Sequence, residues 1–423
     1  MSPSASWPKV RLGDVVRIKH GFAFSGMAET TDTSLPVVLG IGNFDYAGGF
    51  RLGSTTLKRY GGDYPKEYEL KPGDVLLAMT CQTSGGEILG VPGVIPDDED
   101  LHLHNQRLGK VEVLDPARVL LPFIFQLCRW SAFNRHLFDT ASGSKILHTS
   151  PGRIEDFEFG LPPLDEQRAI AATLGALDDK IESNRHIVAT TRELARSYFA
   201  RFPKESVRAS AVLRPILGGT PKRDEPELWD GNIPWASAKD IARSEGGFVL
   251  QTLESVTAAG VDSSATKVMP SGTVIITARG TVGALARLAR PMAFNQSCYA
   301  LQSDSVEPSV LLIALEAAVS RIQDSGHGSV FNTVNMSTFD HIQLDLPVVT
   351  DAEYTLRDLS SVVLQRLEEV ARLTALRNAL LPELLSGRIR VPIGGSDDAS
   401  GDVTRSHLPT DWQAIDSTPN LGA

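Results

Sequence analysis

Three arrangements in the 423-residue sequence have the residue types and spacing of a chemical site. Asp63, Glu69 and Lys71 follow a D…ExK order, in which carboxylates hold Mg²⁺ and a lysine orients a hydroxide for phosphodiester cleavage. That order is short and common, and the segment runs on into a Pro72-Gly73-Asp74 turn, so a structural reading is preferred. His102 and His104 alternate with leucines and share one face of a strand. Without a third ligand nearby they read as packing or surface histidines. Gly40 and Gly42, and Gly85, Gly86 and Gly90, never form a GxGxxG leading into a helix, so they read as turns. GxxxxGK(S/T), (D/N)PP(Y/F/W) and HExxH patterns are missing. The LPPL at 161–164 lacks the acidic or amide residue that the methylation motif places before its prolines. No catalytic residue and no metal ligand is expected.

The elements around these residues say more. From Leu161 the chain reads LPPLDEQRAIAATLGALDDKIESNRHIVATTRELARSYFARF. Ile170, Leu174, Leu177, Ile181, Asn184, Val188, Thr191, Ala195, Tyr198 and Phe202 step by fours and threes, a heptad seam with two polar interruptions. Asp165 is the expected N-cap, Glu166 suits the positive end of the helix dipole, and Pro203 stops the helix. About 37 residues at ~1.5 Å give roughly 55 Å. So narrow a seam needs a partner helix. Thr350–Val391 supplies one, with a Thr350/Glu353 capping box and an apolar face of Leu356, Leu359, Val363, Leu367, Val370, Leu373 and Leu380. Pro382 is expected to kink or break its last turns, and Gly387 to end them. Asn184 and Thr191 either set the register of the pair or face solvent.

The segments between the helices repeat. YELKPGDVLLAMT (68–80) resembles TKVMPSGTVIITA (266–278), and HNQRL (104–108) echoes FNQSC (294–298). SGSKILHTSPGRIEDFEFGLPPL (142–164) matches HGSVFNTVNMSTFDHIQLDLPVV (327–349) without a gap. The expected organisation is therefore a mixed α/β head over 1–160, a spacer helix over 161–203, a second head over 204–349, a second helix over 350–392 and a disordered acidic tail over 393–423. Paired antiparallel, the helices would hold the heads apart as a pseudo-two-fold object. Duplex DNA carries an approximate two-fold of its own, and half-site spacing then follows from protein geometry.

Composition permits this. Hydrophobic residues are 42% and charged residues 22%, as in soluble multidomain chains. No secretory h-region or 18-residue apolar run appears, and Cys81, Cys128 and Cys298 are too scattered for a disulfide framework. These point to the cytoplasm and away from a membrane. The net charge of −10 speaks against a generally basic nucleic-acid binder, but residues 393–423 alone hold five acidic residues against one basic. Neither head is strongly acidic.

LPPLDEQRAIAATLGALDDKIESNR resembles the central conserved region of the specificity (S) subunits of Type I restriction–modification systems, and LRNALLPELLSGRIRV its C-terminal counterpart. GGTPKRDEPELWDGNIPWASAKDI (218–241) and RLGDVVRIKHGFAFSG (11–26) resemble two forms of the opening of a target recognition domain. With ITARGTVGAL (276–285), the likeness spans roughly residues 9–392. It implies two target recognition domains that each read half of a bipartite double-stranded DNA sequence. It also implies helices that dock two methyltransferase subunits, with restriction/motor subunits joining that core. S-adenosylmethionine, ATP and Mg²⁺ would belong to those partners, and this chain would bind no cofactor and catalyse nothing. The second helix opens LPVVTDAEYTL instead of repeating PPL.EQ, which puts its methyltransferase dock in question. A stand-alone sequence-specific DNA-binding protein is the alternative.

Under either reading, arginine reads guanine, asparagine or glutamine reads adenine, and Lys, Ser and Thr hold phosphates. The expected contacts are Lys19, Gln82, Thr83, Ser84, Gln106 and Lys145 in the first head, and Lys222, Arg223, Arg279, Thr281, Asn295 and Gln296 in the second. Each has a rival reading as a structural turn or solvated face, and Asn295 and Gln106 suit backbone capping as well.

Overall fold

The computed structural model describes residues 7–46, 48–52, 57–324, 333–348 and 351–392. The expected disordered tail and Thr350 of the capping box lie outside the described residues. Two long helices, Leu164–Ala200 and Asp351–Leu385, match the two heptad patterns. The first begins one residue before the expected cap. Pro163 O accepts the Gln167 N–H at 3.0 Å, and Asp165 lies in the first turn paired with Arg168. Asp165 is thus a first-turn acid favoured by the dipole, not an N-cap. Pro382 lies inside the second helix without ending it, while Gly387 follows the end at φ +71°.

The chain forms two compact units, residues 1–179 with 374–423, and residues 180–373. Each unit contains a segment of both long helices. In the first unit Asp178 pairs with Arg377 and Glu166 with Arg390, so the two segments run antiparallel. In the second, Val188 packs with Val363 and Leu367, and Lys180 approaches Glu369 at 3.9 Å, again antiparallel. The seam residues Ile170, Leu174, Ile181, Val188, Val363, Leu367 and Val370 are buried, and Leu177, Leu359 and Leu373 are half-buried. Asn184 is 0% exposed, which rules out the solvent-facing reading. Thr191 is half-buried.

In the first unit a four-stranded antiparallel sheet has the order Val16–His20, Leu108–Val113, Val75–Ala78, Pro92–Val94. A second sheet orders Glu29–Thr30, Lys58–Tyr60, Val37–Leu39 and His102–His104. Val75, Leu76, Leu77 and Ala78 are all buried, as a strand covered on both faces requires. Phe123, Leu127 and Phe133 from two short helices join that core with Ile170 and Leu174. At roughly 2 kcal/mol for each fully buried large side chain, this apolar layer holds the head on its helix segments.

The second unit has a five-stranded sheet, ordered Arg214–Leu217, Cys298–Gln302, Val274–Thr277, Leu285–Leu288 and Phe248–Val249. Glu254–Val256, Trp229–Ala236 and Ala293–Phe294 form a three-stranded sheet beside it. The helix Pro308–Asp324 buries Val310, Leu311, Ala314, Leu315 and Ala318 against this unit's core.

The repeat recurs bond for bond. Val10 pairs with Phe159 in one unit and Val207 with Leu344 in the other. The Thr149 N–H donates to Met79 O at 2.9 Å, and the Val334 N–H to Ala278 O at 3.1 Å. One alignment read from the letters is off by a residue. Matching the prolines sets Pro72 against Pro270, whereas the turns superpose Gly73 (φ +84°) on Gly272 (φ +85°). Their N–H groups donate to Ile95 O and Leu288 O, respectively. A left-handed residue in a tight turn must be glycine far more strictly than its neighbour must be proline, so glycine sets the register.

Candidate nucleic-acid interface

The two Asn-Gln dipeptides form the same turn in both units. Asn105 Oδ1 accepts the Arg107 N–H at 3.0 Å, and Asn295 Oδ1 accepts the Ser297 N–H at 3.1 Å. Their main-chain carbonyls accept the Leu108 and Cys298 N–H groups at 3.0 and 3.1 Å. An asparagine that mimics a backbone turn in this way leaves the next residue at the tip. Gln106 and Gln296 occupy that tip and are exposed. Each turn is pressed against a glycine of the neighbouring strand end. A Cβ on Gly21 or Gly218 would lie 2.2 Å from the carbonyl oxygen of Asn105 or Asn295. Only glycine allows that approach.

A second loop borders each turn. In the first unit the Met79 N–H donates to Arg107 O at 2.9 Å, and Thr80–Cys81 pairs with Leu147–His148. Gln82, Thr83 and Ser84 follow the first of these strands and Lys145 precedes the second, and all four are exposed. In the second unit the Ala278 N–H donates to Ser297 O at 2.7 Å, which sets Arg279 beside the Asn295 turn, whereas Thr281 lines a cavity with Arg196, Phe199 and Lys204. Lys222 and Arg223 lie in the loop that follows Gly218.

Several are already committed to other partners. Lys19 bonds Glu67 at 2.9 Å, with its ammonium 5.0 Å from the Tyr68 ring centre. The Thr83 hydroxyl bonds Glu87, whose carboxyl is held below its usual range chiefly by that bond. Lys222 bonds Glu225 at 2.7 Å, and that contact raises its pKa. Arg223 stacks 3.9 Å from the Trp229 ring centre and forks onto Glu254, holding that carboxyl below the usual range. Asn295 spends its carbonyl oxygen within the turn. Gln82, Ser84, Gln106, Lys145, Arg279 and Gln296 make no side-chain hydrogen bond or ion pair among the described residues.

Residues that sequence reasoning passed over fasten each head to the long-helix segments within its own unit. Gln167 is 0% exposed. Its Nε2 donates to Arg118 O and Pro162 O, both at 2.8 Å, and its Oε1 accepts the Leu120 N–H at 2.9 Å. Asp178 takes Arg129 at 2.5 and 3.2 Å and Arg377 at 2.9 Å. Burial pushes the Asp178 carboxyl up, but Arg129 and then Arg377 outweigh it and the net shift is downward. A signal for Gln167 was present, since a polar residue three before Ile170 falls on the seam face. Asp178 carried none.

The other chemical candidates resolve structurally. Glu69 accepts the Tyr64 hydroxyl at 3.4 Å and bridges to Leu103, while the Lys71 N–H caps onto Asp74. Among the described residues no three His, Cys, Asp or Glu side chains are placed to hold a metal ion. His102 and His104 do share a strand and are both buried, so they pack and do not lie at the surface. Desolvation, with Lys110, Lys19 and His20 adding to it, lowers the His104 pKa to about 4 against the pull of its 2.9 Å bond to Leu108 O. All three cysteines are buried and unpaired. No helix of the described residues is long and apolar enough to cross a membrane.

Two internally repeated α/β heads, each seated on antiparallel segments of the two long helices, define a duplicated α/β scaffold. Residues 5–190 and 212–381 match the Type I restriction modification DNA specificity domain, and the chain belongs to that family. The Type I restriction enzyme MjaIX specificity subunit of Methanocaldococcus jannaschii is 26% identical over 160 residues, 37% of this chain and 37% of that protein. The Type I restriction enzyme HindI specificity subunit of Haemophilus influenzae is 24% identical over 181 residues, covering 41% of this chain and 39% of its own length. The chain thus aligns with well under half of each of these relatives. The crystal structure of a Type I restriction–modification S subunit from M. genitalium shares the fold, with a TM-score of 0.56 and 14% identity. That likeness covers 91% of this chain and 98% of the other.

Proposed function

We propose that this chain is the DNA sequence-recognition subunit of a Type I restriction–modification complex. Each head reads one part of a bipartite duplex sequence, and the long helices dock two methyltransferase subunits, through which restriction/motor subunits join. The observation that carries this reading is the repeat. The same Asn-Gln turn, clamped by the same glycine, comes to an exposed edge in both units, inside a family of DNA specificity domains. The chain itself is non-catalytic: S-adenosylmethionine, ATP and Mg²⁺ act on its partners, in the cytoplasm. The target adenine is reached by base flipping within the partner methyltransferase.

The test is co-expression with the methyltransferase subunit of the same source in a methylation-free host, followed by single-molecule sequencing for N6-methyladenine. The expected result is a two-part motif with a fixed gap that disappears when this chain is omitted. Methylation unchanged by its omission, or absent despite a stable complex, overturns the reading.

A further inference from the structure

The repeat allows the base-reading residues to be narrowed by a criterion that sequence alone does not supply: equivalent position together with an uncommitted side chain. Gln106 and Gln296 are the only pair of the expected contacts that occupy the same place in the same turn and are both exposed without a side-chain bond among the described residues. Beside each stands an arginine of the same kind. Arg107, the next residue of the first turn, is exposed and has no ion pair or side-chain hydrogen bond among the described residues. Its N–H and carbonyl are fixed by Asn105 Oδ1 and the Met79 N–H. In the second unit that place is taken by Ser297, and the free cation comes from the bordering loop as Arg279. Arg279 immediately follows Ala278, whose N–H is bonded to Ser297 O. Gly280 comes next, at φ +79° with open space around it.

We propose that Gln106 with Arg107, and Gln296 with Arg279, are the specificity-determining pairs of the two heads, and that their ligand is the edge of adjacent base pairs in the major groove. A glutamine amide presents a donor and an acceptor matched to adenine N6 and N7. A guanidinium presents two donors matched to guanine O6 and N7. The backbone of each tip is held by three features: the Asx bond, the i→i+3 bond and the glycine contact. Each amide is therefore offered from a fixed main chain at the cost of ordering one side chain. The arginine sits on the turn itself in one head and on the next loop in the other. The purine contacts then follow in a different geometry, and the two half-sites differ in sequence. Asn105 and Asn295 act as positioning residues only. Lys222 and Arg223, held by Glu225 and Glu254, do not read bases.

This inference rests on the proposed recognition function, and the experiment separates the two. Gln106→Ala, Arg107→Ala, Gln296→Ala, Arg279→Ala and Arg223→Ala are each co-expressed with the methyltransferase subunit, and the methylated motif is sequenced. Each of the first four is expected to relax discrimination about ten-fold at one base pair. Gln106 and Arg107 should act in one half of the motif, Gln296 and Arg279 in the other, with the gap and the opposite half unchanged. Arg223→Ala is expected to keep every specified base. Asn295→Ala is the structural control, expected to lower thermal stability and overall methylation without redefining a single position. If the wild type yields a motif and the glutamine and arginine variants yield the same motif at the same level, the inference is overturned while the function stands. If the wild type yields no motif, both fall.

Discussion

The two heads fasten to the long helices by the same geometry but with the chemistry rearranged. In the first unit the helix Leu121–Cys128 begins after Leu120, whose N–H is taken by Gln167 of the first long helix. In the second, the matching helix begins after Glu307, whose own carboxylate accepts the Ser309 and Val310 N–H groups at 2.7 and 3.3 Å. One head relies on the long helix to cap it, and the other caps itself. The ion pairs are rearranged as well. Arg129 on the first head pairs with Asp178 on the first long helix, which also takes Arg377 from the second, whereas Glu316 on the second head meets Arg192 and Arg196. The long helices keep an arginine at both joints, and the acid changes sides. What the duplicated fold preserves is neutralisation of a half-buried arginine, by whichever element has a carboxylate within reach.

Substitutions at these joints should affect the units unequally. Asp178→Asn has the largest expected effect. It removes the carboxylate charge that Arg129 and Arg377, with side chains only 9% and 11% exposed, share. A loss of about 3–4 kcal/mol follows, read as an early unfolding transition of the first unit. Glu316→Gln should cost less, because Arg196 is 54% exposed and water can solvate it. Equal losses at the two joints would break the comparison. Gln167→Ala strands two carbonyls and an N–H and should cost about 3 kcal/mol, with amide exchange accelerating at Leu120. Its counterpart Glu307→Ala should cost about 1 kcal/mol, an ordinary helix cap.

A third contrast depends on pH. His104 occupies the place of Phe294. Its folded pKa, about 4, lies below the unfolded value near 6.5, so the unfolded chain binds the extra proton between them. Stability from this group is present above pH 6.5 and is lost as pH falls towards 4. It amounts to about 2 kcal/mol between pH 7.5 and pH 5. His104→Phe should flatten that slope in denaturant titrations, and an unchanged slope would assign it elsewhere. The smallest effect is expected at Asn184, where Asn184→Leu should stabilise the helix pair slightly and loosen its register, measured by disulfide trapping.

The long helices were legible because their signal is periodic over ten turns, and burial of Ile170 through Val370 follows it. The repeat was legible in its blocks, and the bonds at Thr149 and Val334 bear it out. What failed was local. The Asp165 cap was displaced because Pro163 already offered a free carbonyl, and the proline-matched alignment slipped because φ at Gly73 and Gly272 outweighs letter identity. For the candidate contacts, exposure was legible and side-chain partners were not. Exposed loop positions can be read from composition, but the prior commitment of Arg223 to Trp229 and Glu254, 31 residues away, exists only once the chain has folded. Asp178 was invisible for the same reason, since both of its partners are distant in sequence.

The displaced acid also bears on how such a chain can be cut and rejoined. A foreign head spliced in for residues 7–160 inherits a carboxylate at Asp178 and must bring its own cation. A head spliced in for residues 204–348 inherits Arg192 and Arg196 and must bring its own anion. Donor heads are therefore interchangeable only within a charge type, unless the junction is moved into the helix so that each head carries its counter-ion along.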